Sequence, residues 1–586
     1  MKTIMTENIF NDRPNKNEKL ESIDYVKTLI EKARDESRVS DIPKLEKLIR
    51  LLNSKKYGLV WEEHAEKVEE EMKTKIPVFI ENQEKKIYGN LDSEIFNFLL
   101  EGDNLHSLHL LEKTHLGKID VIYIDPPYNT GKKDGKFKYN DDFVDSKDSF
   151  IHSKWLSFME RRLKIAKNLL ADDGFICISI DDNEQAQLKV LMDEIFGYEN
   201  VQSIHHIQVR YENKSLNEDN DWQPVMEYVL IYSKNKQKFK ANKPREDYDL
   251  SKFQYEITEL TSGTEIFIGN KRVTIFKDGE WKIEKKQGAI GLLKETWASG
   301  SIVRQSGTAA EFLSKYLIQR KNEDGLNVLY KIDNMGEDGL GYRYVSGPKK
   351  QNAIRGKFYT GVPLSRKQEL ENGGKSEKTR PIPNYYNFSG EFGNIRHEGG
   401  VPFNGGKKPV KLISQLVNYH TNKNVTVLDF FAGSGSTGHA VLELNKQDGG
   451  NRKFILATND EVVETTYERM QNINNDLSLN LKYFKTDFVI KEDFPDVSLE
   501  YELLKYVTPL VELEYAVDIT NPKVQIVLNE EQLESLIDNK QLISNSTIFM
   551  HPDVFRDDKQ NQILQDLQIR VQEIPNYFFG TELWAK

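Results

Sequence analysis

Apolar residues near the start of the chain recur every three or four positions among lysines and glutamates. Leu20, Ile23 and Val26 follow this spacing, and a second run begins at Ile42. Residues three and four apart lie on one face of an α-helix, so the pattern predicts amphipathic helices. We therefore expect a helical N-terminal region over residues 1–80.

Short apolar runs alternate with amphipathic stretches between residues 81 and 234. Val121–Ile124 and Phe175–Ile180 have the unbroken apolar character of buried strands, whereas Trp155–Leu170 and Glu184–Phe196 have the spacing of helices. Strands that alternate with helices are typical of a parallel sheet covered by helices. The segment predicts the first part of an α/β core.

This alternation stops between residues 235 and 395. There the pattern predicts a small meander of three strands, Ile266–Ile268, Val273–Phe276 and Trp281–Ile283, joined by turns that contain glycine. Loops rich in glycine, proline and asparagine follow. We expect an inserted, loop-rich domain over residues 235–395.

The alternation returns over residues 396–489, where Val425–Phe430 has the pattern of a strand and Thr437–Leu444 that of a helix. We infer that one α/β fold is assembled from two separated segments, 81–234 and 396–489. Residues 490–586 are expected to form a further small α/β domain.

Charge is distributed unevenly along the 586 residues. The formal net charge is −11, but residues 491–586 alone contribute −10, with 8 basic residues against 18 acids. Residues 235–395 carry +8. An acidic average argues against a nucleic-acid partner, because phosphate repels acids. The basic insert is nevertheless compatible with a nucleic-acid partner, because most of the acidic charge lies in the tail.

The cysteine content and the lengths of the apolar runs indicate in which cellular compartment the protein is expected. Cys177 is the one cysteine, which excludes an intramolecular disulfide and a zinc site of several cysteines. No apolar run approaches the ~20 residues that span a bilayer, and the N-terminus lacks the apolar segment of a secretory signal. We expect a cytoplasmic protein without a membrane segment or a metal site.

A glycine-rich turn, Phe431-Ala-Gly433-Ser-Gly435-Ser-Thr-Gly438, follows one predicted strand. Glycines allow a tight turn into a helix, whose free N–H groups attract an anionic ligand. The G-x-G-x-x-G spacing also matches a dinucleotide site, so a nicotinamide-dependent oxidoreductase is an alternative function. His439 stands where a P-loop needs lysine, which excludes ATP binding of that kind. A tight turn without a ligand is the remaining alternative.

A second turn is more specific, because the apolar strand Val121–Ile124 ends in Asp125-Pro126-Pro127-Tyr128. Two prolines fix φ and remove two N–H donors, so the turn is rigid. Asp125 and the carbonyl of Pro126 are then free to accept hydrogen bonds. Two acceptors beside the flat face of Tyr128 suit an exocyclic aromatic amine. A rigid turn capped by a core tyrosine is the alternative.

The two turns together resemble the amino-methyltransferases of DNA. Their order, with Asp-Pro-Pro-Tyr first, then the insert and then Phe-x-Gly-x-Gly, resembles the permuted β class. More narrowly, the chain is similar to the modification (Mod) subunit of type III restriction–modification systems. The stretches that carry this resemblance are Glu101–Leu105, Tyr123–Gly131, Trp155–Leu163, Gly174–Asp182 and Asp429–Thr437.

The resemblance implies a Rossmann-like S-adenosylmethionine-dependent methyltransferase core, with an inserted target-recognition domain, a helical N-terminal region and a small C-terminal α/β domain. By family pattern Asp103 would hold the adenine of the cofactor. Thr458 stands where related enzymes have the acid that holds the ribose, so Asn459, Asp460 or Glu461 would take that role. The cofactor residues that the resemblance implies are Asp103, Phe403, Lys408, Pro409, Asp429, Phe431, Ala432, Gly433, Ser434, Gly435, Ser436, Thr437, Asn459 and Asp460.

The resemblance also implies methyl transfer to a base amine that is flipped out of the duplex. Tyr128 would stack on the base, while Asp125 and the Pro126 carbonyl bind its amine. Among such enzymes aspartate at the first position goes with adenine N6 more often than with cytosine N4. The implied catalytic residues are Asp125, Pro126, Pro127 and Tyr128.

Basic residues are concentrated in residues 343–380, with aromatic side chains between them. Basic side chains meet phosphates, and arginine also reads guanine edges. A solvated charged face is the alternative. The expected DNA-binding residues, including two in the loop after Tyr128, are Lys132, Lys133, Arg343, Lys349, Lys350, Arg355 and Lys357.

The partners that the resemblance implies are double-stranded DNA, a second copy of the chain and an ATP-dependent restriction (Res) subunit. The acidic tail favours a protein contact. A solitary or type II adenine methyltransferase would share the chemistry. A non-catalytic DNA specificity subunit is disfavoured because Asp125–Tyr128, Gly433 and Gly435 are intact. An oxidoreductase leaves the Asp-Pro-Pro-Tyr turn unexplained.

Overall fold

The structure of the chain is a computed structural model. It describes residues 18–36, 38, 41–53, 61, 66–90, 93–130, 151–214, 221–298, 309–372, 376–402, 406–459, 462–494, 498–575 and 578. The α-helices of these residues are α1 (Glu18–Asp35), α2 (Ile42–Asn53), α3 (Lys67–Thr74), α4 (Asn104–His115), α5 (Ile151–Leu169), α6 (Gln185–Phe196), α7 (Ala309–Phe312), α8 (Lys321–Asp324), α9 (Leu364–Glu371), α10 (Ser389–Gly393), α11 (Val410–Val417), α12 (Ser436–Asp448), α13 (Val463–Leu477), α14 (Ser498–Leu504), α15 (Val507–Tyr515), α16 (Glu530–Asp538) and α17 (Asp558–Asp566). The strands are β1 (Lys75–Glu81), β2 (Ile87–Tyr88), β3 (Asn97–Glu101), β4 (Ile119–Ile124), β5 (Leu170–Ile180), β6 (Val201–Gln208), β7 (Met226–Ser233), β8 (Arg245–Asp247), β9 (Tyr255–Glu259), β10 (Thr264–Ile268), β11 (Lys271–Phe276), β12 (Trp281–Lys285), β13 (Lys294–Trp297), β14 (Leu329–Asp333), β15 (Tyr342–Ser346), β16 (Lys357–Thr360), β17 (Glu377–Thr379), β18 (Tyr385–Asn387), β19 (Thr426–Asp429), β20 (Lys453–Thr458), β21 (Asn480–Ile490), β22 (Val524–Val527), β23 (Thr547–Met550) and β24 (Arg570–Glu573).

The chain divides into two compact units. The first unit consists of Met1–Asn242 with Pro383–Lys586, and the second of Lys243–Ile382. The two segments in which strands and helices alternate therefore belong to one unit, and an insert separates them along the chain. This confirms the predicted α/β core built from two pieces.

A large mixed sheet forms the centre of the first unit. Its strand order is β1-β21-β3-β20-β19-β4-β5-β7-β6-β18, and β2 pairs with β21 at the side. Neighbours from β21 to β5 are parallel, whereas β7 runs antiparallel to β5 and β6 antiparallel to β7. In a parallel array the carboxyl ends of the strands meet at one edge, where α/β folds bind ligands.

Two groups of helices cover this sheet. Helices α4, α5 and α6 pack in sequence against one another, as do α11, α12 and α13. Right-handed crossovers place the two groups on opposite faces, because the chain steps through the sheet in opposite directions in its two segments. The middle residues of the strands between them are apolar, as is typical of strands buried on both faces. All five residues of Asn97–Glu101 are buried.

One element differs from the predicted helical N-terminal region. Lys75–Glu81 forms β1, which pairs antiparallel with β21 at the edge of the central sheet. The prediction of helix over residues 75–80 is wrong, because Ile76, Val78 and Phe79 belong to a short continuous apolar run that the sheet buries. Pro77 is compatible with an edge strand, where it need not donate to a second neighbour. Helices α1, α2 and α3 precede this strand.

The second unit contains antiparallel sheets. One sheet has the order β10-β11-β14-β15-β16-β13, while β12 pairs with β9 and β17 with β8 in two-stranded ribbons. The predicted meander is therefore wrong in its third step. Trp281–Lys285 pairs with Tyr255–Glu259 instead of β11, and this pairing lets Ile257 of β9 and Ile283 of β12 pack against the same apolar cluster as Trp281.

The C-terminal residues form a small three-stranded parallel sheet, β22-β23-β24. Helices α14 and α15 lead into it, and a buried charge cluster joins α15 to the central sheet. Lys482 of β21 is fully buried and pairs with Glu81 (2.8 Å), Glu512 (2.5 Å) and Asp518 (3.0 Å). Within the described ranges, no helix combines the length and apolar character needed to cross a membrane.

Candidate active site

The two turns that the sequence singles out follow neighbouring strands. β19 lies between β20 and β4, and Val427 pairs with Val121 in parallel register. β4 ends at Ile124, directly before Asp125, and β19 ends at Asp429. Both turns therefore leave the same edge of the sheet.

The Asp-Pro-Pro-Tyr turn is held by hydrogen bonds from two sides. Trp155 of α5 is buried and donates its indole N–H to the Pro127 carbonyl at 2.7 Å. Asn129 has φ 55°, a left-handed conformation that asparagine tolerates. Its amide donates to Glu184 Oε1 at 2.5 Å. These contacts hold the backbone of the turn between α5 and the start of α6.

Glu184 is a functional candidate that the sequence reasoning missed. Its carboxylate is fully buried, and His152 Nδ1 lies 2.7 Å from the same oxygen that Asn129 contacts. Burial raises the pKa of Glu184, against the lowering effect of the hydrogen bonds from Asn129 and His152. The acid follows the end of β5 after Asp181-Asp182, so its position near the carboxyl ends of the parallel strands was the available signal.

Asp125 lies in a buried site of mixed charge. Burial raises its pKa to about 6, Lys408 opposes that rise, and Glu227 adds to it. Lys408 Nζ lies 3.3 Å from Asp125 Oδ1. This oxygen is nevertheless buried without a hydrogen bond of good geometry to any described residue. The site thus contains an acceptor that is ready for a further donor.

Glu227 connects the remaining members of this group and was also missed. Tyr128 donates its hydroxyl to Glu227 Oε2 at 3.1 Å, and Lys408 donates to the same oxygen at 3.0 Å. The Lys408 ammonium also lies 4.7 Å from the centroid of the Tyr128 ring. Burial would lower the pKa of Lys408, but Asp125 and Glu227 raise it above the ordinary value. An acid at the second position of an otherwise apolar strand was the signal for Glu227.

The glycine-rich turn is organised around Asp429. One carboxylate oxygen accepts the Phe431 N–H at 2.9 Å and the other accepts the Thr437 hydroxyl at 2.5 Å. Burial raises the pKa of Asp429 to about 7, and the charge of Asp125 adds to the rise. Gly433 and Gly435 have φ of 51° and 76°, where a side chain would be strained. The turn thus places the amino end of α12 at the edge of the sheet where the Asp-Pro-Pro-Tyr turn also lies.

A buried arginine supports this turn from behind. Arg469 of α13 donates to Ser436 Oγ at 2.8 Å and to Ser434 Oγ at 3.2 Å. Its other terminal nitrogen pairs with Glu398 at 3.1 Å. Lys407 Nζ donates to the carbonyls of Glu398 and Val401. Two buried cations against one carboxylate leave positive potential beside the turn.

Asp103 caps the helix that follows the next strand along the edge. Its carboxylate accepts the Leu105 N–H at 2.8 Å, and Arg162 lies 3.3 Å from the same oxygen. Arg162 is fully buried and forms a two-pronged pair with Glu66, at 2.7 and 2.9 Å. The neighbouring Asn104 donates to the Phe430 carbonyl at 2.7 Å. Asp103 is therefore connected to the glycine-rich turn through the Asn104 contact.

The structure brings most of the predicted residues of the first unit to one edge. Asp103, Asn459 and Asp125 follow β3, β20 and β4, and Asp429 ends β19. These four strands are consecutive neighbours in the sheet, in the order β3-β20-β19-β4. Pro409 caps the start of α11, and Ala432 donates its N–H to the Ala457 carbonyl. Phe403, Asp460, Lys132 and Lys133 lie outside the described residues.

The other predicted DNA-binding residues belong to the second unit. Lys349 and Lys350 are exposed, and Arg355 is half-buried. Arg343 pairs with the buried Asp338 at 3.7 Å, and Lys357 pairs with Glu295 while it lies 3.4 Å from the centroid of the Trp297 ring. Their role in DNA binding stays a prediction. Within the unit, Lys349, Lys350, Arg355 and the exposed Trp297 are accessible to a partner.

Comparison with known proteins adds sequence relatives to this geometry. A family model described as DNA methylase matches residues 119–468. The chain is 34% identical over 408 residues to the Mod subunit of the type III restriction-modification enzyme EcoPI of Escherichia phage P1, across 63% of this chain and 58% of the relative. It is 30% identical over 394 residues to the type II methyltransferase M.KpnI of Klebsiella pneumoniae, across 66% of this chain and 85% of the relative.

Two further facts define the extent of these likenesses. The chain spans about half to three fifths of the length of the type III relatives that it matches. The solved structure of PvuII DNA methyltransferase (cytosine-N4-specific) aligns with a TM-score of 0.28 and 11% identity, over 67% of this chain and 98% of that chain.

Proposed function

The chain belongs to the DNA methylase family, and on that premise we propose that it is a site-specific DNA methyltransferase. Its substrates are double-stranded DNA and S-adenosylmethionine, and it modifies adenine at N6. The observation that carries the proposal is the placement of the Asp125 carboxylate and the Tyr128 ring around one position, since the Lys408 ammonium lies 3.3 Å from Asp125 Oδ1 and 4.7 Å from the centroid of that ring. Asp125 follows the strand next to the glycine-rich turn, so amine acceptor and methyl donor adjoin.

The residues of the turn account for the chemistry at the base. A flipped adenine stacks on Tyr128 and donates its two amine N–H groups to Asp125 Oδ1 and the Pro126 carbonyl. These bonds pull the nitrogen lone pair out of the ring, which makes the amine nucleophilic. S-adenosylmethionine would supply the methyl group: N6 would bond to its carbon as the carbon–sulfur bond breaks and the electron pair leaves with the sulfur. The amine would then lose one proton to the Asp125 carboxylate that accepts it. Positioning of this kind supplies roughly 7–11 kcal/mol of a barrier.

The cofactor residues suit S-adenosylmethionine, which supplies a sulfonium methyl group when bound. The amino end of α12, with Arg469 and Lys407 behind it, would hold the methionine carboxylate. Gly433 and Gly435 allow the backbone to approach the ligand closely. Asp103 and Asn459 would hold the adenine and the ribose, because they follow the neighbouring strands β3 and β20.

The choice of adenine N6 over cytosine N4 rests on the aspartate at the first position of the turn. An aspartate goes with adenine more often, and serine is common in N4 enzymes. The likeness to type III Mod subunits supports the same choice.

The assembly follows the type III relatives. We propose a cytoplasmic Mod subunit that pairs with itself and with a Res subunit, with residues 243–382 as the target-recognition domain. Lys349, Lys350 and Arg355 then contact DNA, together with Lys132 and Lys133 from the loop after Tyr128. A type II or solitary methyltransferase is the second candidate, supported by the 30% identity to M.KpnI.

A transfer assay with a matched pair of variants tests the proposal. Purified protein is incubated with methyl-tritiated S-adenosylmethionine and unmethylated bacterial DNA, and the DNA is digested to nucleosides. We expect the label in N6-methyladenine, and a loss of about 100-fold or more in Asp125→Ala. Asp172→Ala, at an exposed acid on the same β4-β5 pair of strands, controls for loss of charge and should retain the rate. Wild-type transfer by Asp125→Ala would refute the proposal.

A further inference from the structure

A buried cation occupies the pocket that the proposed function assigns to the target base. The Lys408 side chain is 6% exposed, and its ammonium lies 3.3 Å from Asp125 Oδ1 and 4.7 Å from the centroid of the Tyr128 ring. Asp125 is the acceptor for the amine, and the ring of Tyr128 is the stacking face. A base in van der Waals contact, with carbon atoms about 3.5–4.0 Å apart, needs the space that the ammonium fills.

The ammonium resembles the target amine in what it offers this pocket. Both present N–H groups to a carboxylate, and a cation is also attracted to the face of an aromatic ring. The ammonium has a further effect, because Asp125 and Glu227 are two carboxylates in one buried site. Like charges so placed raise the pKa of at least one carboxyl, and a cation between them keeps both ionised.

Glu227 gives the ammonium a second partner that takes no part in binding the base. Lys408 donates to Glu227 Oε2 at 3.0 Å, and that residue is anchored in β7 beside the end of β5. Lysine carries its charge on a flexible four-carbon stem. The ammonium can therefore release Asp125 and remain paired with Glu227.

We propose that Lys408 is a positioning residue that substitutes for the target amine in the DNA-free enzyme and yields Asp125 to the incoming base while it remains on Glu227. This inference rests on the proposed function and deepens it. It differs from the role that the family resemblance implies for Lys408, which is a contact with the cofactor. The lysine keeps the acceptor ionised and oriented until a base arrives.

Two consequences are measurable. A protein whose binding site is partly occupied by its own side chain binds ligand more weakly, in proportion to the occupied fraction. Removal of the ammonium should therefore lower the KM for DNA. It should also raise the pKa of Asp125 above its value of about 6, so that activity is lost at a higher pH as the solution is acidified. The titratable groups that face Asp125 are Lys408, Glu227, Tyr128, Tyr123 and Asp429.

A set of four variants separates these effects: Lys408→Met, Lys408→Arg, Glu227→Gln and the double variant Lys408→Met/Glu227→Gln. For each, kcat and the KM for DNA are measured between pH 5.5 and 9, and the Kd for S-adenosylmethionine by calorimetry. We plot kcat/KM against pH and call the fall on its acidic side the acidic limb. In Lys408→Met we expect this limb to lie about one pH unit or more higher than in the wild type. At pH 8.5, where Asp125 is ionised in every variant, its KM for DNA should fall about threefold. Its Kd for S-adenosylmethionine should stay within about twofold.

The other variants test the same electrostatics and cover a failure of Lys408→Met to fold. Lys408→Arg retains the cation, so its kcat/KM should fall at the same acidic pH as that of the wild type. Glu227→Gln removes a negative charge and should move the limb down, because the pKa of Asp125 falls. The double variant should bring the limb back toward wild type, since it removes both charges.

Three results would overturn the inference. One is an acidic limb that stays at its wild-type position in Lys408→Met and in Glu227→Gln. Another is a KM for DNA at pH 8.5 that rises when the lysine is removed. A third is a Kd for S-adenosylmethionine that weakens tenfold with an unchanged limb, which would indicate a cofactor contact. Failure of the wild type to methylate any duplex would refute the proposed function itself, and the inference with it.

Discussion

Replacement of Arg469 by methionine should weaken cofactor binding without unfolding the chain. The guanidinium donates to Ser436 and Ser434 and pairs with Glu398, and methionine fills similar space without these bonds. Hydrogen bonds from a charged donor contribute about 1.5–3 kcal/mol each. Thr466 still holds the Gly433 carbonyl at 2.6 Å, so the turn keeps part of its support. We expect a net loss of about 1.5–3 kcal/mol in binding free energy, roughly 10- to 150-fold in Kd.

Calorimetric titration with S-adenosylmethionine measures this loss, and Arg452→Met is the matched control. Arg452 is also buried, and its replacement also removes an ion pair, here a two-pronged pair with Asp448 at 2.8 and 2.9 Å. That pair lies at the opposite end of α12 from the glycine-rich turn. Arg452→Met should therefore destabilise the fold and leave the Kd unchanged. Binding by folded Arg469→Met within twofold of wild type, or an equal loss of affinity in both variants, would refute this role of Arg469.

Three further predictions concern stability, the turn and pH. Lys482→Met should lower the free energy of unfolding by about 3–5 kcal/mol, because it removes the buried cation that Glu81, Glu512 and Asp518 share, and Lys86 remains to pair only with Asp518. Denaturant titration checks this, and the exposed Lys505→Met should change the free energy of unfolding by less than about 0.5 kcal/mol. Glu184→Ala should lower kcat/KM about 10- to 100-fold by releasing the Asp-Pro-Pro-Tyr turn, measured by tritium transfer, and unchanged kinetics would contradict this role. Wild-type kcat/KM should fall about tenfold per pH unit below about pH 6. The pKa of Asp125 is raised to about 6, and its carboxyl must be ionised to accept the amine. A pH profile that is flat down to pH 5 would contradict this role of Asp125.

The parts of the fold that could be predicted from sequence are those with a strong local pattern. Buried parallel strands must be apolar on both faces, so Val121–Ile124 and Val425–Phe430 were recognisable, within two residues of the strands observed. The turns after them carry glycine and proline because their backbone geometry requires these residues. That both turns meet at one edge followed from the parallel arrangement, which local patterns also indicated.

The remaining features depend on contacts between residues far apart in sequence. Glu227 and Lys408 are separated by 181 positions, and only the sheet order brings them together. Arg162 and Arg469 occur among polar residues in helices, a pattern that is typical of a solvated face, yet both are fully buried beneath the site. Local sequence does not show which charge on an amphipathic helix meets a buried carboxylate.

The central claim is that Asp125 binds the amine of a flipped adenine, and methylome sequencing of a host that expresses the chain tests it most directly. A host without adenine methyltransferases of its own receives the wild-type chain or Asp125→Ala, and modified bases are read in the genomic DNA. The account predicts N6-methyladenine at one short recognition sequence with the wild type and none with the variant. N4-methylcytosine instead, or the same methyladenine pattern with Asp125→Ala, would contradict it.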